Sequence, residues 1–581
     1  MTDDAALGAA TGADASAPAE RARFDTIVAG AGVAGLTVAH DLAGRGYRVL
    51  VLEAADVVGG TAAALELPGL GLTLDAGAES FAVRGGAVAA LAGELSLAEH
   101  IVDPNPAGAW LQLQARDGAQ RSVPLPKQTL LGIPATPLAQ DVIDALGWRG
   151  AMRAYLDRLM PVLRIGTDDA LGPLVRRRMG RKVLDRLVAP LAGGVYSADP
   201  ELLDLAVVAP GLNGGITRTG SLSGGVAFVL EERAQAAAAA AGKPGSKPGS
   251  AVQGLRGGIH QLPERLAERA REHHAEIRTG VRVLQAEPTA TGWTVTTDAG
   301  THDASSLVVA LPEGEARRLL TQGALSQGPE RGAEPHASRD LAGTTVELVT
   351  LVFPAGAIAG DPRGTGVLVA ADNDRVRAKA MTHATAKWAW LREAADGHEI
   401  VRLSYGTGGG ADAAPATAGL DDEGAAALAL ADAEAIFGTE LPRPVASARV
   451  RWQQGQPSST VGARGRQQQL RDAAAAHDNL LVVGAAVAGT GLAQVVPDAR
   501  RAALEIRRER FAVEGTPWTA DIAPEEAVGA DASAAHGDAG TAPAQADADR
   551  AATDPSSETA SQDASGTPTA AAQTPEARGD A

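Results

Sequence analysis

A chain of 581 residues, 45% of them hydrophobic, is long enough for two or three domains around a large core. Its formal net charge of −18 argues against nucleic acid as a general partner. It contains no cysteine, which excludes disulfides, thiolate catalysis and cysteine-held zinc or iron–sulfur clusters.

Residues 1–22 read as a disordered leader. They are acidic and lack an apolar h-region, so no secretory signal is expected. No stretch offers the ~18 uninterrupted apolar residues of a membrane span. The expected location is cytoplasmic, with at most peripheral membrane contact.

Phe24 to Ala54 organises the rest. Phe24 to Ala29 is a buried parallel strand by its apolar, β-branched content. Gly30-Ala31-Gly32-Val33-Ala34-Gly35 follows as G-x-G-x-x-G, then a helix ending at Gly44 and Gly46, then a strand Arg48 to Leu52 with Glu53 at its end. Gly30 permits the tight turn, Gly32 lets a pyrophosphate approach the backbone, and Gly35 lets helix and strand pack closely. The helix N-terminus holds phosphate, and Glu53 accepts from ribose hydroxyls. Its charge would repel a 2′-phosphate, which favours FAD or NAD over NADP.

Further on come Val58-Gly59-Gly60-Thr61, a hairpin over Leu65 to Leu74, and Asp75 to Phe81 (DAGAESF). Residues 84–230 read as mostly helical with loops, with helices over Ala87 to Leu97, within Pro137 to Leu146 and over Arg149 to Leu163, and two within Leu171 to Leu191. Ala234 to Ser250 has linker composition and is expected to loop out. Gly254 to Gly258 opens the return to the first domain, followed by a helix over Leu262 to Glu272. Strands are expected over Glu276 to Ala286, Gly292 to Thr297 and Thr301 to Leu311. Asp340 to Gly410 is strand-rich, and Leu420 to Phe437 is helical. Asn479 to Gly484 is again a buried strand, Ala485 to Leu492 a glycine-containing turn, and Asp498 to Phe511 a helix. From about Ala520 the chain is nearly all Ala, Asp, Ser, Thr, Pro and Gly, a composition that cannot offset its ordering entropy, so 520–581 is expected to be a disordered tail.

With these motifs in place, the chain resembles the bacterial FAD-dependent coproporphyrinogen III/protoporphyrinogen oxidases of the amine-oxidase flavoprotein superfamily, from about Phe24 to Phe511. The glycine turn and Glu53-Ala54 are common to the superfamily. DAGAESF, Leu125 to Pro134, Asp185 to Leu203 (DRLVAPLAGGVYSADPELL) and Leu255 to Ile259 are more specific. Gly484-Ala485-Ala486 and Gly489-Thr490-Gly491-Leu492 resemble the C-terminal flavin motif. The chain departs from the family at Ala493 to Asp498, where a Pro and a small-Gly pair are usual. It departs again at Thr61, where a basic residue is common.

The resemblance implies an α/β fold, a Rossmann-like FAD-binding domain with an inserted α+β substrate domain. The implied segments are 23–83, 251–312 and 476–515 for the cofactor domain, and 84–250 (with a flexible loop at 234–250) and 313–475 for the substrate domain. It implies one FAD per chain, held by Gly30, Ala31, Gly32, Val33, Ala34, Gly35, Glu53, Ala54, Gly59, Gly60, Thr61, Gly77, Ala78, Glu79, Ser80, Val283, Trp388, Gly484, Thr490, Gly491 and Leu492. The implied reaction is oxidation of coproporphyrinogen III to coproporphyrin III, with oxygen as acceptor and hydrogen peroxide released, in haem biosynthesis. A transient ferrochelatase-type partner belongs to that setting. Protoporphyrinogen IX, another amine-oxidase-like activity (amine oxidase or carotenoid desaturase), and a non-catalytic flavin-binding homologue are the other readings.

Removing a hydride from a bridging carbon of a porphyrinogen leaves a cation stabilised by pyrrole nitrogens, so the protein supplies mainly orientation and electrostatics. No catalytic base is identified, and no Ser/His/Asp triad is expected. Propionates call for basic partners. Arg84, Arg176 and Arg177 are candidates; the last two read more readily as a solvated helix face, while Arg84 reads equally as either. Tyr196 lines a substrate cavity or simply packs after its glycine turn. Trp388 and Trp390 sit beside the flavin or in the core. His273-His274 reads as surface, and no metal site is expected.

Overall fold

The computed structural model describes residues 23–67, 69–115, 117–160, 170–241, 251–321, 344–406, 414–454 and 459–514. The expected leader, residues 242–250 of the expected loop and the expected tail lie outside them.

Two seven-stranded sheets carry the fold. In the first, β1 (Phe24–Ala29) is flanked by β2 (Val49–Leu52) and by Gly300–Val309, both parallel to it. Glu276–Arg278 and Leu480–Val482 extend the parallel part, and Val283–Thr289 with Gly292–Thr297 form an antiparallel wing. Ile27, Val28 and Ala29 are fully buried because helices cover both faces of this sheet, which is why the strand reads as one apolar run. On one face α1 (Val33–Ala43) packs with Gln261–Glu272 and the C-terminal helix Leu492–Glu514. On the other face lie Glu313–Thr321 and Ala463–Ala475, whose Leu319, Leu320, Leu470 and Ala474 join the core with Leu307 and Leu480. Both ends of the segment 313–475 thus contribute to the first sheet's core, since each carries an apolar stripe that only this sheet covers.

The second sheet runs Ala446–Gln454, Thr344–Phe353, Glu399–Tyr405, Ala380–His383, Gly366–Val369, Ala109–Gln114, Gln120–Pro124. Only the Gly366–Val369/Ala109–Gln114 pair is parallel. Asp422–Phe437 covers it on one side.

Several expectations need correction. The region 84–230 is helical as expected except for short strands. After the expected first helix, here Ala87–Glu94, it carries the hairpin Ala109–Gln114/Gln120–Pro124. The polar sequence there hides a strand because Gln112 is buried with its amide satisfied by Gln120, Ser122 and the Ala435 carbonyl. Residues 234–241 are not loop but the end of helix Leu222–Ala241, as an alanine run favours. Glu276 to Ala286 is two strands, broken where Gly280 takes φ +68° and bonds the Ala55 carbonyl. The C-terminal helix starts at Leu492 rather than Asp498 and passes through Pro497 at the cost of one helical hydrogen bond. The turn before it contains a short helix, Ala485–Ala488.

A helical layer of Gln140–Tyr155, Leu171–Met179, Ala189–Val195, Leu212–Thr219 and Leu222–Ala241 shares a core with the Ala109–Gln114 hairpin. Between the second and third of these, Leu184–Val188 is π-helical. Pro190 follows directly. Its ring would crowd the Arg186 carbonyl in a continuous α-helix, and the wider turn relieves that.

Candidate functional site

The glycine turn is built by exclusion. Gly30 sits at φ +103°, and a Cβ there would lie 2.5 Å from the Ala310 carbonyl oxygen. A Cβ at Gly35 would overlap the Gly30 carbonyl oxygen. Gly32 has open space on its Cβ side and caps α1 with no side-chain hydrogen bond. The helix start at Val33 and Ala34 therefore faces a space that a phosphate fits. Glu53 is tied to this turn: one oxygen accepts from Ala31 N at 2.7 Å and the other from Ala55 N at 2.9 Å. A carboxylate has about four acceptor positions, so capacity remains for hydroxyls. Ala54 follows, and Val281 N donates to the Glu53 carbonyl at 2.8 Å, which brings the start of Val283–Thr289 to the same end of the sheet.

Three more segments converge there. Gly59 and Gly60 have φ +111° and +56°. Gly59 N bonds the Ala31 carbonyl at 2.8 Å, and a Cβ at Gly60 would lie 3.6 Å from Gly32 Cα. Thr61 passes the contact on: its carbonyl accepts from Ala78 N at 2.9 Å and leaves no room for a Cβ at Gly77. At the far end of the chain Gly484 (φ +89°) stands against Ala34, where its Cβ would come within 3.0 Å of the alanine methyl. Gly484 N donates to Asp498 at 3.1 Å, and Asp498 also pairs with Arg471 and Arg501. Thr490 and Gly491, the glycine at φ +110° and with open space on its Cβ side, lead into the helix starting at Leu492. Two helix starts and two glycine pairs thus meet at one rim, a donor set that suits a dinucleotide.

Next to this rim, half-buried Glu79 pairs with Lys387 and, at 3.2 Å, with Arg402. Burial pushes its carboxyl up, but the two cations outweigh it and hold it below the usual range. Arg402 also reaches the Gly77 carbonyl at 3.1 Å, and Trp452 donates to the Ala76 carbonyl at 3.2 Å, so the second sheet clamps DAGAESF. Ser80, half-buried, follows. Trp388 is 3% exposed and packs on Gly254, where a Cβ would fall 2.6 Å from its ring, with Lys387 over that ring at 5.1 Å. Trp390 is partly buried against the same cluster.

Tyr196 caps helix Ala189–Val195 and is half-buried. Burial raises its phenol, and Arg233 and Arg84 oppose that shift. The structure therefore brings Arg84, from the loop after DAGAESF, and Arg233, from helix Leu222–Ala241, to the same tyrosine. Arg176 and Arg177 go elsewhere. Arg176 is half-exposed and pairs with Glu201, and the Arg177 carbonyl accepts from Arg153. Their neighbour Arg178 is buried against Asp157, which also takes Leu222 N and Ser223 N. That arginine ties helices together. Sequence reasoning missed Arg233, the Glu79 partners Lys387 and Arg402, and Lys379, whose Nζ lies 3.4 Å from Ser197 Oγ. None carries a local signal, since each gains its meaning only from a distant segment.

His273 and His274 are exposed. Among the described residues no group of three or more His, Asp or Glu side chains is arranged to hold a metal, and no helix is long and apolar enough to cross a membrane.

The family described as flavin containing amine oxidoreductase matches residues 33–507. A coproporphyrinogen III oxidase of Mycobacterium leprae is 30% identical over 489 residues, 83% of this chain and 98% of the relative. That of Bacillus subtilis is 26% identical, over 82% and 96%. A crystallised Exiguobacterium protein superposes with a TM-score of 0.68 at 24% identity, covering 84% of this chain and all of its own, a likeness of fold. The glycine rim agrees with the cofactor these relationships imply, and the chain is a flavin-dependent oxidoreductase of the flavin containing amine oxidoreductase family, in the branch that includes the bacterial coproporphyrinogen III oxidases.

Proposed function

We propose that this enzyme oxidises coproporphyrinogen III to coproporphyrin III, using one FAD per chain, with oxygen as the final acceptor and hydrogen peroxide as its product. The observation that carries the reading is the full-length relationship to enzymes of that name, 98% of the M. leprae chain being matched. The side chains agree with it. FAD supplies the acceptor for hydride when bound. Gly32, Gly60, Gly484 and Gly491 leave room for its pyrophosphate, and the starts of α1 and the C-terminal helix direct N–H groups there. Glu53 takes ribose hydroxyls. Arg84 and Arg233, with no carboxylate partner among the described residues, provide cations for substrate propionates beside Tyr196. Glu79, held ionised by Lys387 and Arg402, fixes the loop between cofactor and substrate sides. Each of three two-electron steps removes a hydride from a bridge carbon, and protons leave to solvent. The haem-biosynthesis setting and the ferrochelatase-type partner rest on the relatives alone.

The test is to purify the full chain, read its flavin by extraction and absorbance, and add coproporphyrinogen III under air. Porphyrin fluorescence should rise with peroxide in step. Bound flavin without turnover of coproporphyrinogen III or protoporphyrinogen IX would overturn the substrate reading. Failure to take up FAD would overturn the cofactor reading.

A further inference from the structure

Lys379 has no place in the account so far, yet its backbone is firmly anchored. It enters strand Ala380–His383 from a turn whose Arg377 N and Ala378 N donate to Asp432 at 3.0 and 2.8 Å. The Tyr405 hydroxyl donates to the same carboxylate at 3.1 Å. Lys379 N bonds the Ser404 carbonyl at 2.8 Å, and its own carbonyl accepts from Val369 N at 3.0 Å. The side chain leaves this fixed base and ends 3.4 Å from Ser197 Oγ, its one recorded polar contact. Ser197 sits at φ +49°, a conformation a non-glycine residue adopts rarely and under strain. It is the residue after Tyr196. No carboxylate of the described residues pairs with the ammonium, and burial alone pulls it down to about 8.

Three cations from three segments thus gather on Tyr196-Ser197: Arg84, Arg233 and Lys379. A cation removed from water without a counter-ion is costly unless a ligand brings the opposite charge. The two arginines are exposed, whereas Lys379 is half-buried and less hydrated.

We propose that Lys379 is a specificity-determining residue that receives a substrate carboxylate beyond those taken by Arg84 and Arg233, and so favours a macrocycle with four acid side chains over one in which two are replaced by vinyl groups. This rests on the porphyrinogen reading. A vinyl group against the ammonium would leave the charge both desolvated and unpaired, while a carboxylate satisfies it.

The experiment uses the full-length flavin-loaded protein as wild type, Lys379→Met and Lys379→Arg. It measures kcat/KM for coproporphyrinogen III and protoporphyrinogen IX under air, and equilibrium binding of the two product porphyrins by fluorescence. Methionine matches the stem without the charge, so folding is not at risk from a new buried charge, and flavin content checks it. The expected result is that Lys379→Met loses about 10- to 100-fold in kcat/KM for the four-acid substrate and much less for the two-acid one, with the binding preference falling alike, and that Lys379→Arg restores the preference. An equal fall for both substrates, or an unchanged preference, overturns the proposal while leaving the oxidase reading standing. A wild type that oxidises neither but binds the four-acid porphyrin better, with that preference lost in Lys379→Met, sinks the oxidase reading and keeps the subsite. A wild type that neither oxidises nor binds either macrocycle overturns both.

Discussion

At Gly35 the backbone of Gly30 occupies the space a side chain would need, whereas at Tyr196 charge is gathered from segments more than a hundred residues apart. The proposed cofactor rim is made of main chain: positive φ values, carbonyls in close approach and helix starts. The proposed substrate wall is made of long side chains on different elements. The first kind of site tolerates no added atoms at its tightest points. The second tolerates much change, because it acts through charge at a distance.

This contrast is testable from its largest effect downward. Gly35→Val should abolish flavin retention and give little folded protein, read by extracted flavin and circular dichroism. Gly32→Ala, placed in open space, should leave apoprotein stability within about 0.5 kcal/mol while weakening flavin binding. If the two behave alike, exclusion is not what distinguishes these glycines. Arg178→Met leaves Asp157 buried and unpaired, and should cost about 3–5 kcal/mol in denaturant unfolding.

Lys379→Met should act in the opposite direction. The folded pKa of Lys379 lies below its usual value, so the unfolded chain binds the proton more tightly, and folding pays for expelling charge into a dry site. The variant should gain about 1–3 kcal/mol below pH ~8, and the gain should fade as pH rises toward ~10.5. Urea titrations at pH 7 and pH 10 would check the sign. The smallest effect belongs to Arg176→Ala, whose half-exposed ion pair is worth at most about 1 kcal/mol, with substrate kcat/KM unchanged. A large loss of kcat/KM there would return Arg176 to the substrate wall.

The contrast also explains what the sequence could show. Gly30, Gly32, Gly35 and Glu53 are legible because strand, turn, helix and strand are consecutive, and each glycine answers to a neighbour a few residues away. Glu79 is legible as part of DAGAESF, but its partners are not, since Lys387 ends the short helix Ala384–Lys387 and Arg402 lies on the second sheet. The arginine run at 176–178 drew attention by density, yet its buried member, Arg178, holds helices together. Arg233 sits just before the alanine run that ends its helix, and Lys379 in an ordinary polar turn. Gln112 reversed the usual pattern, a polar residue fully enclosed in a strand.

The π-helical turn at Leu184–Val188 has a consequence for how this molecule tolerates changes of length. A π turn holds one residue more than the α-helix it interrupts. Deleting a single residue there would let the helix run on regularly, and everything C-terminal to it would swing by about 100° around the axis. Tyr196 and Ser197 stand at the end of that lever. A one-codon loss, far from any glycine of the rim, would thus turn the tyrosine away from both arginines while leaving every residue of the site in the chain.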